Sequence, residues 1–348
     1  MTSTLPGVTL APGYTIPRII KGGWQLAGGH GAVDDRQAIA DMHAFADAGV
    51  TAFDCADIYT GVEALIGRCA AERRATGRPP VHVHTKCVPD LALLATLSPA
   101  EVRRIVERSR ERLALPTIDL VQFHWWDYDI PGMVRAAQAL AQCQRDGWIR
   151  LLGATNCDTA HLAAMVDAGV PLVTHQVQYS LLDRRPANGM AAYCAAHGIA
   201  LLCYGALAGG FLHERWLGQP APAEPLENRS LVKYRLIIDE FGGWDAYQQL
   251  LVVLARVAAR HHTTIGAVAI RWVLDQPAVG AVIVGARNAT HLGPTLAALS
   301  LSLDADDHAL LAPVLAAHAG PPGDCYTLER DRDGRHGSIM RYNLNAAR

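Results

Sequence analysis

The sequence predicts a (β/α)8 barrel, and two observations support this prediction. Eight short apolar runs recur at about the interval that one strand and one helix occupy, and each run stops at a polar or aromatic residue. Segments with helical periodicity lie between the runs. In chain order the runs are RIIKGGW, TAFD, VHVHTK, IDLVQFH, IRLLGATN, PLVTHQ, IALLCY and AVIVGAR. In a closed barrel the C-terminal ends of parallel strands share one face, so we expect the residues that end these runs to meet there.

The helix candidates alternate with the strands. Several end at a glycine that can adopt the left-handed conformation after the last turn, namely Gly49, Gly147, Gly169 and Gly198. The candidates are DDRQAIADMHAFADAG, GVEALIGRCAAERRATG, SPAEVRRIVERSRERLA, IPGMVRAAQALAQCQRDG, CDTAHLAAMVDAG, ANGMAAYCAAHG, WDAYQQLLVVLARVAARHH and, after the eighth strand, DADDHALLAPVLAAHAG. A sustained strand and helix repeat is typical of a closed barrel or of a doubly wound open sheet.

The glycine-rich stretch GGWQLAGGHG favours the closed barrel. An open dinucleotide-binding sheet carries G-x-G-x-x-G between its first strand and helix, but the spacing here differs, and Ala32 and Val33 separate the stretch from its helix. We therefore predict a single domain over residues 1–348, with the barrel core at about 18–300 and a C-terminal helix and tail at 301–348.

Two segments depart from the repeat. Residues 209–243, after the seventh strand, are far longer than a usual connection between a strand and a helix, so we expect a lid over the barrel mouth; a surface insertion is the alternative. The C-terminal tail mixes charge with aromatic residues such as Tyr326 and Tyr342, and the sequence leaves open whether it wraps the barrel or covers the site.

Composition excludes several classes of function. The formal net charge is −2, which creates no field that would attract nucleic acid or an anionic membrane. The apolar stretches are too short for a membrane span, and the N-terminus lacks a basic segment followed by an apolar one, so we expect a cytoplasmic protein. The eight cysteines form no CxxC pair and suit a reducing compartment; core packing is favoured over a nucleophilic Cys55 or Cys87. We expect no metal site, because neither HVH at 82–84 nor HH at 261–262 comes with a convincing third ligand.

Four residues predict a proton-donor system. Asp54, Lys86 and His124 each end a strand, and Tyr59 follows Asp54 by five positions. A phenol has a pKa of about 10, and an adjacent ammonium lowers it, so Lys86 could make Tyr59 a better acid while Asp54 balances the ammonium. A neutral His124 could donate a hydrogen bond to a substrate carbonyl. Each residue alone has another explanation, since His124 could be structural and Asp54 could cap the next helix.

These motifs resemble those of the aldo-keto reductase superfamily over nearly the whole chain. FDCADIYTGVEALIG is similar to the family signature around its aspartate and tyrosine, HTK to its lysine strand, and DLVQFHWW to its histidine strand. Asp54, Tyr59, Lys86 and His124 match the family's catalytic tetrad in order. The resemblance implies a nicotinamide cofactor, which supplies the hydride that no side chain can deliver.

The resemblance also implies a set of cofactor contacts. They are Thr155, Asn156 and Gln176 at the carboxamide, Tyr204 stacked under the nicotinamide ring, Gly205, Leu207 and Gly209 at the pyrophosphate, and Arg287, Asn288 and His291 at the 2′-phosphate. Thr295 departs from the family's asparagine, and His291 from its basic or amide residue. We expect NADPH (NADP+) to be favoured, because Arg287 can grip a phosphate, and NADH to be possible.

Aromatic residues suggest the substrate class. Trp24, Trp125 and Trp126 are expected to wall the pocket and to suit a ring-bearing carbonyl or the apolar face of a sugar, although some could be packing anchors. We predict an NADPH-dependent reductase of a small-molecule aldehyde or ketone, acting as a monomer or weak homo-oligomer. The alternatives are an NAD(P)+-dependent sugar or secondary-alcohol dehydrogenase, and a nicotinamide-sensing regulatory protein with little turnover.

Overall fold

A computed structural model of the protein describes residues 5–28 and 30–345. An antiparallel hairpin, β1 (Gly7–Ala11) and β2 (Tyr14–Pro17), precedes eight parallel strands that close into a barrel in chain order. The barrel strands are β3 (Ile19–Gly22), β4 (Ala52–Asp54), β5 (His82–Cys87), β6 (Ile118–Phe123), β7 (Ile149–Thr155), β8 (Leu172–Gln178), β9 (Ala200–Tyr204) and β10 (Val279–Gly285). The predicted strands and the closed barrel are confirmed, and an open doubly wound sheet is excluded.

The strand register brings distant sequence positions to one end of the barrel. Asp54 pairs with His84 on the next strand, and Lys86 pairs with Gln122. Farther round, Thr155 pairs with Gln176, and Gln178 pairs with Tyr204. Because all eight strands are parallel, the residues that end them lie at the same mouth.

Helices surround the barrel and include the eight predicted segments. They are α1 (Asp35–Asp47), α2 (Val62–Ala75), α3 (Pro99–Leu113), α4 (Met133–Arg145), α5 (Thr159–Asp167), α6 (Met190–Ala196), α7 (Arg229–Phe241), α8 (Gly243–Arg260), α9 (Ile265–Leu274), α10 (Leu292–Ser300), α11 (Ala305–Ala317) and α12 (Thr327–Arg330). The N-terminus of α3 is stabilised by local sequence, because Ser98 and Glu101 form a reciprocal capping box. None of the helices in the described ranges is long and apolar enough to cross a membrane. All eight cysteines are free and buried.

The hairpin closes the end of the barrel opposite the mouth. Leu10 and Ile16 pack with interior strand residues such as Leu120 and Leu202 in one apolar cluster. The Tyr14 hydroxyl lies 3.0 Å from Nε2 of His84, whose pKa burial lowers to about 3. This packing leaves the C-terminal ends of the strands as the side on which a ligand can enter.

The two segments that break the repeat both fold against the mouth. Residues 209–243 are not a simple loop, because α7 occupies their second half behind an Asn228 cap. The tail returns across the barrel, and the Tyr342 carbonyl accepts a hydrogen bond from the Leu91 N–H. The sequence left the position of the tail open, and the structure places it over the mouth.

Candidate active site

The candidate site is built on a buried ion pair between neighbouring strands. Lys86 Nζ donates to Asp54 Oδ2 at 2.7 Å and to the Cys55 carbonyl at 2.7 Å. Asp54 Oδ1 accepts hydrogen bonds from Gln176 at 2.7 Å and Gln122 at 3.2 Å. Burial lowers the pKa of Lys86, but the Asp54 carboxylate outweighs this effect, so the net pKa is raised and the lysine stays charged. Asp54 does not cap the next helix, because the N-cap residue of α2 is Gly61, which has no side chain to form a capping hydrogen bond.

Tyr59 lies over this pair on the turn between β4 and α2. The Lys86 ammonium is 5.2 Å from the centre of the Tyr59 ring, and the centre of the Trp24 ring is 5.1 Å from the centre of the same ring. Burial raises the pKa of the phenol, and Lys86 only partly opposes it. Lys86 thus lowers this pKa as expected, but removal from water has the larger effect, so the net pKa is raised.

His124 is held as a neutral ring of one tautomer. Its Nδ1 lies 3.2 Å from the Thr155 carbonyl, and since a carbonyl only accepts, Nδ1 carries the proton. Burial, followed by the charge of Arg330, lowers the pKa of His124 to about 3. Nε2 is buried and has no hydrogen-bond partner among the residues that the structure describes. In this tautomer Nε2 carries no proton and can only accept a hydrogen bond. The expectation that His124 donates a hydrogen bond to a substrate carbonyl is therefore corrected.

The residues implied for the nicotinamide end lie together, and all four already form hydrogen bonds within the protein. The Thr155 hydroxyl donates to the Gln176 carbonyl at 3.2 Å, and the Gln176 side-chain nitrogen donates to Asp54. Asn156 has a left-handed backbone, with φ of 57°, and its Oδ1 accepts from the Tyr204 hydroxyl at 2.8 Å. Within residues 5–28 and 30–345 no group bonds to the Asn156 amide nitrogen, which is thus able to donate to a ligand, and the Tyr204 ring is fixed in orientation.

The loop after β9 presents two glycines to α7. Gly205 and Gly209 have φ of 78° and 64°, which favours glycine. A Cβ atom would lie 2.3 Å from the Tyr234 hydroxyl at Gly205 and 2.6 Å from the Tyr234 ring at Gly209. Leu207 is half-buried, and a Cβ at Gly266 on α9 would lie 3.4 Å from its side chain. Tight packing of the loop on Tyr234 thus explains both glycines without a ligand.

The loop after β10 carries the three residues implied for a 2′-phosphate. Arg287 is exposed, with Nη2 so close to Gly31 that a Cβ there would lie 2.7 Å from it. The Asn288 side chain accepts from the Thr290 N–H, so it also shapes its own turn. His291 is exposed, with its ring 6.3 Å from that of His213 on the 209–243 segment.

Of the three tryptophans expected in the pocket, two line the mouth. Trp24 is half-buried beside Tyr59, and Trp126 packs edge-on against His124 with ring centres 4.3 Å apart. Trp125 is fully buried in the core, with its Nε1 donating to the Ile130 carbonyl at 3.1 Å. The prediction that Trp125 lines the pocket is wrong. Successive side chains of a strand point to opposite faces, so Trp125 points away from the barrel axis when His124 points inward.

The structure places the tail residue Tyr326 in the site and adds Arg330 and Lys233, which the sequence did not single out. Tyr326, from the tail, packs edge-on to His124 at 5.7 Å, and Arg330 binds the mouth loops. Lys233 of α7 lies 5.0 Å from the centre of the Tyr204 ring and 4.0 Å from Glu329. The aromatic residues of the tail were the available signal that the tail packs on the barrel. The residues that the tail contacts are too distant in sequence to be inferred from it.

A histidine with two carboxylates lies away from the mouth. His261, Asp304 and Asp307 offer ligand atoms within 4.8 Å of one another. The sequence did not foresee these carboxylates beside the histidine pair. Arg260 already bonds to Asp307 at 2.7 Å and to Asp304 at 3.1 Å, so one guanidinium occupies an oxygen of each carboxylate.

Comparison with known proteins identifies the family. The model of the Aldo/keto reductase family matches residues 18–316. The chain is 26% identical over 318 residues to the NADH-specific methylglyoxal reductase of Escherichia coli, covering 85% of this chain and 94% of that protein. It is 27% identical over 303 residues to the aldo-keto reductase YhdN of Bacillus subtilis, covering 85% and 88%.

Solved structures agree with this match. A glycerol dehydrogenase from Gluconobacter oxydans superposes with a TM-score of 0.75 at 26% identity, covering 92% of this chain and 96% of that one. An aldo/keto reductase from Klebsiella pneumoniae, solved with NADP and acetate, superposes with a TM-score of 0.67 at 23% identity, covering 93% and 98%, which supports the fold. The protein belongs to the aldo/keto reductase family. It is an NAD(P)-dependent oxidoreductase that acts on carbonyl or alcohol groups.

Proposed function

We propose that the protein reduces aldehydes or ketones with NADPH, with Tyr59 as proton donor. The observation that carries this proposal is the buried pair of Lys86 and Asp54 directly beside Tyr59. Burial of a charged pair costs free energy, so a buried pair beside a phenol indicates a catalytic role for these three groups.

Each member of the tetrad has a defined task in this proposal. The nicotinamide supplies the hydride when bound. Tyr59 donates its phenolic proton to the carbonyl oxygen, and Lys86 stabilises the phenolate that remains. Asp54 fixes the Lys86 ammonium, with the two glutamines holding the other carboxylate oxygen. His124 and Trp126 border the place of the substrate, and the orphaned acceptor at His124 suits a hydroxyl group.

The residues at the cofactor positions fit a nicotinamide dinucleotide. The free amide nitrogen of Asn156 can donate to a carboxamide oxygen, and the oriented Tyr204 ring offers a surface for stacking. Arg287 is exposed on the loop after β10 and can form a fork on a phosphate. We therefore propose NADPH as the preferred cofactor, although one relative is named as NADH-specific.

A second candidate is the reverse reaction, oxidation of a secondary alcohol or polyol. The tautomer of His124 favours it, because an acceptor at Nε2 suits a substrate hydroxyl better than a carbonyl. Similarity to a glycerol dehydrogenase supports the same candidate.

One assay separates these candidates from a regulatory protein with little turnover. Purified protein is mixed with NADPH or NADH and an aromatic aldehyde, and with NADP+ or NAD+ and glycerol, while absorbance of the reduced nicotinamide is followed. Sustained oxidation of NADPH by the aldehyde supports the reductase. Turnover only in the alcohol direction supports the dehydrogenase, and stoichiometric binding without turnover in any mixture contradicts both.

A further inference from the structure

Arg330, at the end of α12, joins the two loops that carry His124 and Asn156. Its Nη1 donates to the carbonyls of Trp125 and Trp126, both at 2.6 Å. Its Nη2 donates to the Asn156 carbonyl at 2.8 Å. The first two acceptors follow His124 directly in sequence, and the third belongs to a residue at the nicotinamide end. One guanidinium therefore fixes both loops through their main chains.

The Arg330 guanidinium is also held in place by stacking on an aromatic ring. Its guanidinium stacks 3.7 Å from the centre of the Tyr128 ring, and the Tyr128 hydroxyl accepts from the Asp158 N–H at 3.1 Å. The charge-assisted bonds to carbonyls have a planar geometry that arginine supplies and lysine does not.

The neighbouring Glu329 anchors α12. Glu329 is buried and forms two hydrogen bonds with Arg185, at 2.9 and 3.1 Å. Burial raises the pKa of Glu329, but Arg185 outweighs it and holds that pKa at about 2, so the anchor stays ionised at ordinary pH. The ion pair of Glu329 with Arg185 thus fixes the position of α12, and with it the position of Arg330 relative to the two loops.

We propose that Arg330 is a positioning residue of the active site, which holds the loop of His124 and the loop of Asn156 at their working separation. This inference rests on the proposed function, because it acts through two residues assigned to that function. It makes the C-terminal tail a part of the active centre. A misplacement of about 1 Å at a reacting group can lower a rate by about 10²-fold, so a clamp of this kind has kinetic consequences.

The same guanidinium acts on the charge of His124. Of the titratable groups packed around that ring, Tyr326 lies edge-on at 5.7 Å as a phenol whose pKa burial raises, and Arg330 is the cation that opposes imidazolium formation. Burial is the larger cause of the lowered pKa of His124 and Arg330 the second, so removal of the charge should raise that pKa only part of the way to its ordinary value. Because hydration of the ring would also raise this pKa, the charge effect is separated from a loss of packing by Arg330→Lys, which keeps the charge.

The test compares Arg330→Met, Arg330→Lys and a matched control, Arg332→Met. Arg332 lies on the same tail and pairs with Asp127 of the same loop at 3.4 Å, but its side chain is 55% exposed. The readouts are kcat with an aromatic aldehyde from about pH 4 to about pH 8, cofactor Kd from quenching of tryptophan fluorescence, and the melting temperature.

We expect Arg330→Met to lower kcat by about 10- to 100-fold, to weaken cofactor binding, and to introduce a titration step at higher pH than in the wild type. Arg330→Lys should lower kcat but keep the wild-type pH profile, because it retains the charge and loses the fork. The kcat and cofactor Kd of Arg332→Met should stay within about twofold of the wild-type values, the scale expected for loss of an exposed ion pair.

The inference is overturned if Arg330→Met keeps the kcat, cofactor Kd and pH profile of the wild type, or if it differs from Arg332→Met only in melting temperature. If the wild type itself shows no turnover, the proposed function fails. The cofactor Kd of Arg330→Met relative to Arg332→Met then still decides the inference: a selective loss supports the clamp, and equal values overturn it.

Discussion

Lys86 donates to Asp54 and to the Cys55 carbonyl at the same distance, 2.7 Å, and the side chains of the ion pair are only 7% and 5% exposed. Both oxygens of the carboxylate are occupied, one by the lysine and one by two glutamine amides. Such a pair adds little net stability, since the desolvation of both charges offsets their attraction. In the proposed mechanism the pair serves to hold an ammonium beside Tyr59.

Removal of one partner of this pair should destabilise the fold. Lys86→Met leaves the Asp54 carboxylate buried without its cation, which typically costs ~3–5 kcal/mol. The double variant Lys86→Met/Asp54→Asn should recover much of the loss, because no uncompensated charge remains. Urea unfolding measures both, with Tyr59→Phe as a control that leaves the pair intact. Equal unfolding midpoints for Lys86→Met and the wild type would show that the pair is not coupled as the structure indicates.

The raised pKa of Tyr59 predicts opposite pH profiles for the two reaction directions. A proton donor is competent below its pKa, so reduction should show no alkaline loss up to about pH 10, the ordinary phenol pKa. Oxidation needs the phenolate and should rise with pH throughout that range. Measurement of kcat in both directions checks this, with chemistry shown to limit the rate. A loss of reduction centred near neutral pH would mean that Lys86 dominates over burial.

Arg287 should determine the preference for NADPH. Arg287→Ala removes the exposed cation at the end of β10 and should weaken NADPH binding by about 1.5–3 kcal/mol, the range for hydrogen bonds to a charged group, while leaving NADH nearly unchanged. Asn288→Ala is the comparison, because Asn288 also shapes its turn and should affect both cofactors. Fluorescence titration gives each Kd. Equal losses of both cofactors in Arg287→Ala would remove the phosphate assignment.

The segment 209–243 should behave as a lid held by a latch. The Ser230 hydroxyl lies 2.9 Å from Nε2 of His30, and the Arg229 guanidinium lies 5.6 Å from the centre of the Trp24 ring. These contacts join the start of α7 to the loop after β3. Ser230→Ala should raise the rate of NADPH release by about 2- to 10-fold, the equivalent of one neutral hydrogen bond.

Stopped-flow fluorescence measures that release, and protease cleavage within residues 209–228 should slow when NADPH is added. Ser338→Ala serves as a matched control, because Ser338 is an exposed tail serine whose hydroxyl bonds to the Arg335 carbonyl. A release rate in Ser230→Ala equal to that of the control, together with cleavage unaffected by NADPH, would leave the surface-insertion interpretation.

The barrel was predictable because its signals are local. Each strand is a short apolar run that ends at a polar residue, and most helices carry caps and a 3.6-residue period. The missed elements lacked such contrast. Eight of the ten residues of α9 are buried, so it shows little alternation, and α7 lies within a stretch that reads as a loop. The capping Asn228 and the apolar spacing after it were the available signal for α7.

The site was predictable where side chains end strands, and less so where burial or long-range contacts decide. Strand order alone brings Asp54 and Lys86 together. The net direction of the Tyr59 pKa depends on how deeply the ring is buried, which sequence does not specify. The tautomer of His124 depends on one carbonyl, and the clamp at Arg330 depends on a tail about 200 residues away in sequence.

The most direct test of the account is single-turnover oxidation of bound NADPH by an aromatic aldehyde in Tyr59→Phe. The substitution keeps the ring that packs between Trp24 and Lys86 and removes only the hydroxyl, so fold and cofactor affinity should survive. Loss of a positioned general acid should lower the rate by about 10²–10⁴-fold. A rate within about tenfold of the wild type, less than a general acid supplies, would contradict the assignment of Tyr59 as proton donor.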